Sequence, residues 1–233
     1  MTILAFETSA KAASVALVSD GLLLGEYFQN NGQTHSRTVM KMAEDLLGNC
    51  DLSAGDIDAV ACAIGPGSFT GVRIGLAAAK GFAWGREIPL IGVSTLEAMV
   101  RNVACADGVY CAAMDARRDQ VYTAVFENRS GNLSRLTDDM AIAVEELGNI
   151  LNSTGSGKFI VGDGAALCYN ILGKEMQLNL LPEHMRMQSA AGVALVAWEK
   201  YLSGDYGSAA EVVPNYLRLS QAERERLKKT EME

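Results

Sequence analysis

The chain has 233 residues, 49% of them hydrophobic, with 28 acidic against 20 basic side chains and a formal net charge of −8. Such a length buries a sizeable core, whereas the negative balance argues against unaided nucleic-acid binding, which needs clustered Lys and Arg to displace counterions from phosphates. No apolar run approaches the roughly 18 residues of a membrane span, and the opening Met1-Thr2-Ile3-Leu4-Ala5-Phe6-Glu7 lacks the basic region of a signal peptide, so a cytoplasmic protein without membrane association is expected.

Residues 3–8 form a short apolar segment ending in Glu7-Thr8-Ser9. Segments 14–19 and 22–28 read as further strands joined by an Asp20-Gly21 turn. Over 35–48 the spacing becomes helical, with Val39, Met40, Ala43, Leu46 and Leu47 on one face and Gly48-Asn49 as the stop. A strand over 57–64, a glycine-rich turn, a helix over about 70–85 and a strand over 89–93 follow. Alternation of this kind favours an α/β sheet with parallel members.

The second half begins again in the same style. Segments 109–115 and 120–126 read as strands flanking Ala116-Arg117-Arg118-Asp119, so Asp115 ends its strand as Glu7 ends the first. A helix over 144–151, a strand over 158–161 closed by Gly162-Asp163-Gly164, and a helix over about 189–202 complete the pattern. A polar turn at Cys105-Ala106-Asp107-Gly108 marks the expected boundary, giving lobes of 1–104 and 105–220 and a charged, disordered tail over 221–233. The five cysteines (Cys50, Cys62, Cys105, Cys111, Cys168) show no C-x-x-C spacing and are read as reduced and mostly buried.

Gly65, Gly67 and Gly71, with Pro66, Ser68 and Thr70 among them, form a tight corner between strand and helix, where Ser68 or Thr70 can cap the first turn. The free N–H groups there would also suit an anion, but Val72-Arg73 stand where a phosphate loop carries Lys and a hydroxyl. On chemistry alone, structural corner and phosphate contact both stay open. The helix that follows carries only two charges, Arg73 and Lys80, seven residues apart with Ala77 between them. A helix apolar almost all round is covered on more than one side.

The run Gly65-Pro66-Gly67-Ser68-Phe69-Thr70-Gly71-Val72-Arg73, with Gly92-Val93-Ser94-Thr95-Leu96-Glu97-Ala98 and the late Pro214-Asn215-Tyr216-Leu217-Arg218, resembles the TsaB (YeaZ) family of bacterial tRNA threonylcarbamoyladenosine synthesis. The resemblance implies an α/β fold of the actin, Hsp70 and sugar-kinase (ASKHA) group with two related lobes. It also implies kinship with the catalytic subunit TsaD, whose Asn-His-x-Glu-Gly-His metal site corresponds here to Ser94-Thr95-Leu96-Glu97-Ala98-Met99, without either histidine. The remaining histidines, His35 and His184, lie in different halves with no H-E-x-x-H pattern; His35 reads as a helix-start or interface residue and His184 as a surface loop residue.

No catalytic residue, cofactor or metal is therefore expected of this chain. The resemblance implies a subunit that scaffolds a TsaD-like transferase with a TsaE-like ATPase, meets tRNA only through the complex, and self-associates when alone. The expected product is threonylcarbamoylated adenosine next to the anticodon in tRNAs that read codons starting with A. The expected contact uses His35, Ser36, Val39, Met42 and Leu46 on the first helix and Arg73, Ala77, Lys80 and Trp84 on the second. The alternatives are an ATP-dependent phosphotransferase using Glu7 or Asp115, and a metallohydrolase, which the missing histidines disfavour.

Overall fold

Along the first strand, β1 (Thr2–Glu7), Leu4 and Phe6 enter one hydrophobic cluster while Ile3 and Ala5 enter another, the period-two alternation of a strand covered on both faces. The structure is a computed structural model describing residues 1–218, so the tail over 221–233 lies outside the described residues. β1 pairs antiparallel with β2 (Ala13–Ser19), which pairs antiparallel with β3 (Leu22–Gln29). The turn between them has left-handed backbone at Asp20 and Gly21, φ 49° and 79°, as a two-residue hairpin requires. On its other side β1 runs parallel to β4 (Ala59–Gly65), and β4 to β5 (Leu90–Ser94).

The two faces of this sheet take different residues. Leu4, Phe6, Val15, Leu17 and Val60 pack against α1 (His35–Asn49) and α2 (Phe69–Arg86). The opposite face is largely alanine (Ala5, Ala16, Ala59, Ala61, Ala63), and the helix seated on it, α7 (Ala190–Leu202), answers with Ala190, Ala191, Ala194 and Ala197. Small residues on both partners let helix and sheet approach closely. α7 is thus encoded after the second sheet and packs on the first.

The second sheet repeats the first. β6 (Gly108–Asp115) pairs antiparallel with β7 (Gln120–Arg129), and β7 with β8 (Asn132–Arg135). β6 also runs parallel to β10 (Lys158–Val161), and β10 to β11 (Asn179–Leu180). The strand orders β3-β2-β1-β4-β5 and β8-β7-β6-β10-β11 coincide position for position, with β9 (Met140–Ala143) added against β7. This duplicated topology is the ASKHA fold. α4 (Val144–Asn152) and α5 (Ala165–Met176) cover the outer face, whereas α3 (Thr95–Arg101) lies between the sheets, touching α7 and the inner face of β6 and β7.

Several elements differ from their sequence reading. α3, α5, β8, β9 and β11 lie outside the segments read as helix or strand, and β4 begins two residues later because Ala54–Asp56 makes a 3₁₀ turn. On α1 the buried methionine is Met42, 8% exposed, while Met40 is 47% exposed and faces outward. His184 sits in a one-turn helix, α6 (Glu183–Arg186), rather than in a loop. All five cysteines are free, and Cys62, Cys111 and Cys168 are buried. Among the described residues, no helix is long and apolar enough to cross a membrane.

A β-carbon at Gly192 on α7 would collide with the Ala98 carbonyl of α3, whereas one at Gly81 on α2 would meet nothing within 4 Å. Gly192→Ala is therefore expected to lower stability by about 1–3 kcal/mol through overpacking. Gly81→Ala is expected to raise it by up to about 1 kcal/mol through helix propensity. Urea unfolding midpoints of the two variants check both signs.

Candidate functional site

The glycine turn joins three elements at close range. Ser68, not Thr70, caps α2: its Oγ accepts from Gly71 N at 3.2 Å and its carbonyl from Val72 N at 2.8 Å. Ser68 N itself donates to Ser9 O at 2.6 Å. A β-carbon at Gly67 would press on Ser9 O, and β-carbons at Gly71 and Gly75 would strike the Thr8 carbonyl and hydroxyl. Thr8 Oγ1 donates to Gly71 O at 2.8 Å, closing the joint from the other side. The glycines thus seat the start of α2 against the tip of β1, and the chain's own carbonyl takes an N–H that an anion would otherwise use.

Packing α2 this way fixes which residues it shows. Gly71, Val72, Gly75, Leu76, Ala79 and Ala83 are buried, while Arg73, Ala77, Gly81 and Trp84 form an exposed stripe; Trp84 is 71% exposed. Lys80 is half-buried, so it does not share the full exposure of Arg73 and Ala77. Arg73 does not stand free either. Its guanidinium lies 3.8 Å from the Phe69 ring centroid, and its Nε donates to Tyr216 Oη at 2.8 Å.

On the neighbouring α1, Ser36 is exposed and His35 is half-buried, with its Nε2 2.8 Å from Ala10 O. Val39, Met42 and Leu46 are buried in the first core, so they hold α1 from beneath and do not face outward. Between the helices lies an apolar groove of about 360 Å³ lined by Met40, Ala43, Leu47 and Phe82 among others. Met40, missed as a surface residue in the sequence, stands at its rim; the signal lay in the helical phase, which Met42 satisfies and Met40 does not.

The segment aligned with a metal site in the catalytic relative has structural partners here. Ser94 caps α3, with Glu97 N donating to its Oγ at 3.4 Å, and Glu97 pairs with Arg135 at 2.8 Å. Thr95 and Met99 are buried. His35 lies on α1 and His184 on α6, and among the described residues no group of three His, Cys, Asp or Glu side chains is arranged to hold a metal.

A cleft of about 530 Å³ opens between the lobes, bounded by the glycine turn on one side and by Asp115, Arg117 and Tyr122 on the other. The two strand-tip acids differ sharply. Asp115 is exposed, and its Oδ1 accepts from Arg117 N at 2.7 Å within a hairpin loop where Arg117, Arg118 and Asp119 all have left-handed backbone. Glu7 is fully buried; its Oε1 accepts from Ser9 N at 2.6 Å, and its Oε2 has no partner among the described residues. Burial pushes its carboxyl up to about 7, with Asp163 adding to the rise and the Ser9 hydrogen bonds opposing it. Asp163, bound by Gln188 Nε2 at 3.0 Å, is also raised, again chiefly by desolvation. With a value near 7 this buried carboxyl is divided between its neutral and charged forms around neutral pH, desolvation favouring the neutral one.

The raised value of Glu7 gives stability a pH dependence whose sign follows from linkage. Its folded-state value near 7 lies above the ordinary 4.5, so between those limits the folded chain keeps a proton that the unfolded chain releases. Stability is expected to fall as pH rises through this window, by about 3 kcal/mol in all, with the loss complete above the folded value. Glu7→Gln, uncharged throughout, is expected to flatten that slope in urea titrations from about pH 5 to 8.

Comparison with known proteins gives a consistent set of relatives. A family model described as "TsaD: tRNA N6-adenosine threonylcarbamoyltransferase" matches residues 29–226. The tRNA threonylcarbamoyladenosine biosynthesis protein TsaB of Bacillus subtilis is 32% identical over 227 residues, covering 96% of each chain. The protein of the same name from Escherichia coli K12 is 33% identical over 220 residues, covering 94% of this chain and 95% of its own. Among solved structures, YeaZ from Pseudomonas aeruginosa superposes with a TM-score of 0.79 at 25% identity, over 93% of this chain and 99% of that one.

Proposed function

The chain belongs to the TsaB family of tRNA threonylcarbamoyladenosine biosynthesis proteins, and from that premise we propose that it is a non-catalytic subunit that binds and activates a TsaD-like threonylcarbamoyltransferase. A role in making this modified adenosine follows from the family. The finer reading, a scaffold without chemistry of its own, is supported above all by the exposed face of α1 and α2.

That face combines features that a free surface rarely keeps. Trp84 is 71% and Met40 47% exposed, and the stripe between Arg73 and Trp84 is built from Ala77 and Gly81, over which a second helix can approach closely. Ser36 at the start of α1 and Lys80 beside the stripe supply polar rim contacts, in keeping with interfaces that bury an apolar centre inside a polar edge. The same face would serve two copies of this chain when the transferase is absent. A TsaE-like ATPase would join the heterodimer, and tRNA would be held by the assembly, as the net charge of −8 favours.

The reading is tested by reconstitution. With the TsaD-like and TsaE-like partners, ATP, threonylcarbamoyl-adenylate and unmodified tRNA, modified adenosine is expected only when this chain is added; equal product on omission would overturn the subunit role. Within the interface, Ala77→Arg should lower affinity for the transferase about tenfold or more while leaving the unfolding midpoint of the isolated chain in place. The pair Arg73→Glu with Lys80→Glu should weaken binding as well. Unchanged affinity in a titration of Ala77→Arg would remove α2 from the contact.

A further inference from the structure

The segment 205–218 contains no helix and no strand beyond a single bridge, yet it ties both lobes together. It begins on the first lobe, where Gly207 and Leu90 exchange backbone hydrogen bonds of 2.9 and 3.1 Å. It then crosses the glycine turn: Asn215 N donates to Ile64 O at 2.7 Å, and a β-carbon at Gly65, whose φ is +112°, would sit 2.6 Å from Asn215 O. Tyr216 stacks on Phe69 with centroids 4.8 Å apart and accepts the hydrogen bond from Arg73. Past the cleft the segment reaches the second lobe. Asn215 Nδ2 donates to Asp139 at 3.4 Å, and Arg218 donates to Ala116 O at 3.0 Å and to the Gln120 side chain.

We propose that 205–218 is a strap that sets how far the two lobes stand apart and, through Tyr216, couples the cleft between them to the exposed face of α2. The coupling is geometric. Phe69 and Tyr216 line the cleft, while Arg73, which they hold, belongs to the outer stripe of α2. A group that enters the cleft and displaces the Tyr216 ring takes away the acceptor of Arg73 Nε. Conversely, an acidic group that draws Arg73 outward leaves Tyr216 held by stacking and by the strap's own backbone. By linkage, the two events affect one another equally. Arg218 fastens the segment to the second lobe, so the strap transmits a change in lobe spacing to the first turns of α2.

This inference goes beyond the subunit role and does not depend on it, because the isolated chain suffices for the test. Amide hydrogen exchange is followed in the full chain and in two variants, Tyr216→Ala and Arg218→Gln. Among the described residues, the hydrogen bonds and ring contact of Arg218 are to Ala116 O at 3.0 Å, Gln120 and Tyr122, all in the second lobe, so its loss should leave the α2 turn untouched unless the strap carries the effect. The expected result is faster exchange, by about tenfold, both at residues 72–75 of α2 and at 116–123 of the second lobe in each variant, with β1 and α7 unchanged. Exchange at 72–75 unaltered by Arg218→Gln would overturn the proposal. A uniform rise across both sheets would overturn it too, since the segment would then hold the whole fold and not the cleft. Should Tyr216→Ala fail to fold, Tyr216→Phe, which removes only the acceptor, is expected to speed exchange at 72–75 while leaving the stacked pair.

Discussion

The carbonyl oxygen of Thr8 occupies the space that a side chain at Gly71 would need, and the arrangement of the first lobe depends on that contact. With glycine at 67, 71 and 75, α2 can lie against the tip of β1; with any other residue the helix must lift away. Once seated, the helix has no rotational choice. Leu76, Ala79 and Ala83 turn to the sheet, and Arg73, Ala77, Gly81 and Trp84 turn outward. Ser68 Oγ and Ser68 O then take the N–H groups of Gly71 and Val72, and the Ser9 carbonyl takes that of Ser68, all from within the chain. One steric constraint therefore explains why the residues of the glycine turn must be small, and it brings the chain's own carbonyl against the start of the helix.

The two lobes share a strand order while their strand tips differ in chemistry. On the first lobe the tip acid is fully buried near Asp163, which Gln188 binds, and desolvation favours its neutral form. Its counterpart Asp115 is exposed and stabilises a loop with three successive left-handed residues, a conformation that costs about 1 kcal/mol or more per non-glycine residue. Duplication of the topology has left two copies of one scaffold, with a closed joint in one and a strained, solvated hairpin in the other. The cleft between them is shaped by this difference.

Much of this architecture is legible in the sequence because local physics dictates it. β1, β2, α1 and α2 carry their own periodicity, β2 and α1 carry their own stops at Asp20-Gly21 and Gly48-Asn49, and β10 is marked by the Gly162-Asp163-Gly164 that closes it. Short elements escape detection: β8 and β9 have four residues each, too few for a period, and α3 is a seven-residue helix whose capping Ser94 lies inside a motif that draws the eye to metal chemistry. α5 is hidden because Gly162-Asp163-Gly164 looks like a terminus while it also launches a helix. At the site, the outward stripe of α2 follows from helical phase, but the holder of Arg73 does not. Tyr216 is 143 residues away, and nothing local pairs it with Arg73. Val39, Met42 and Leu46 show the complementary limit: apolar spacing identifies a face, and it does not say whether that face meets a sheet or another protein.

The position of α7 has a consequence for the order in which the molecule is made. The alanine-rich face of the first sheet is completed by residues 190–202, which leave the ribosome only after the whole second sheet has been synthesised. Until then Ile3, Ala5, Ala16, Ala59 and Ala61 have no helix over them, so the lobe that begins first cannot finish first. Vectorial folding from the N-terminus, the usual route for multidomain chains, would here yield a half-covered sheet waiting on a distant helix. That face is therefore left open for most of the chain's length, and the first lobe reaches its final packing only once α7 has followed the second sheet.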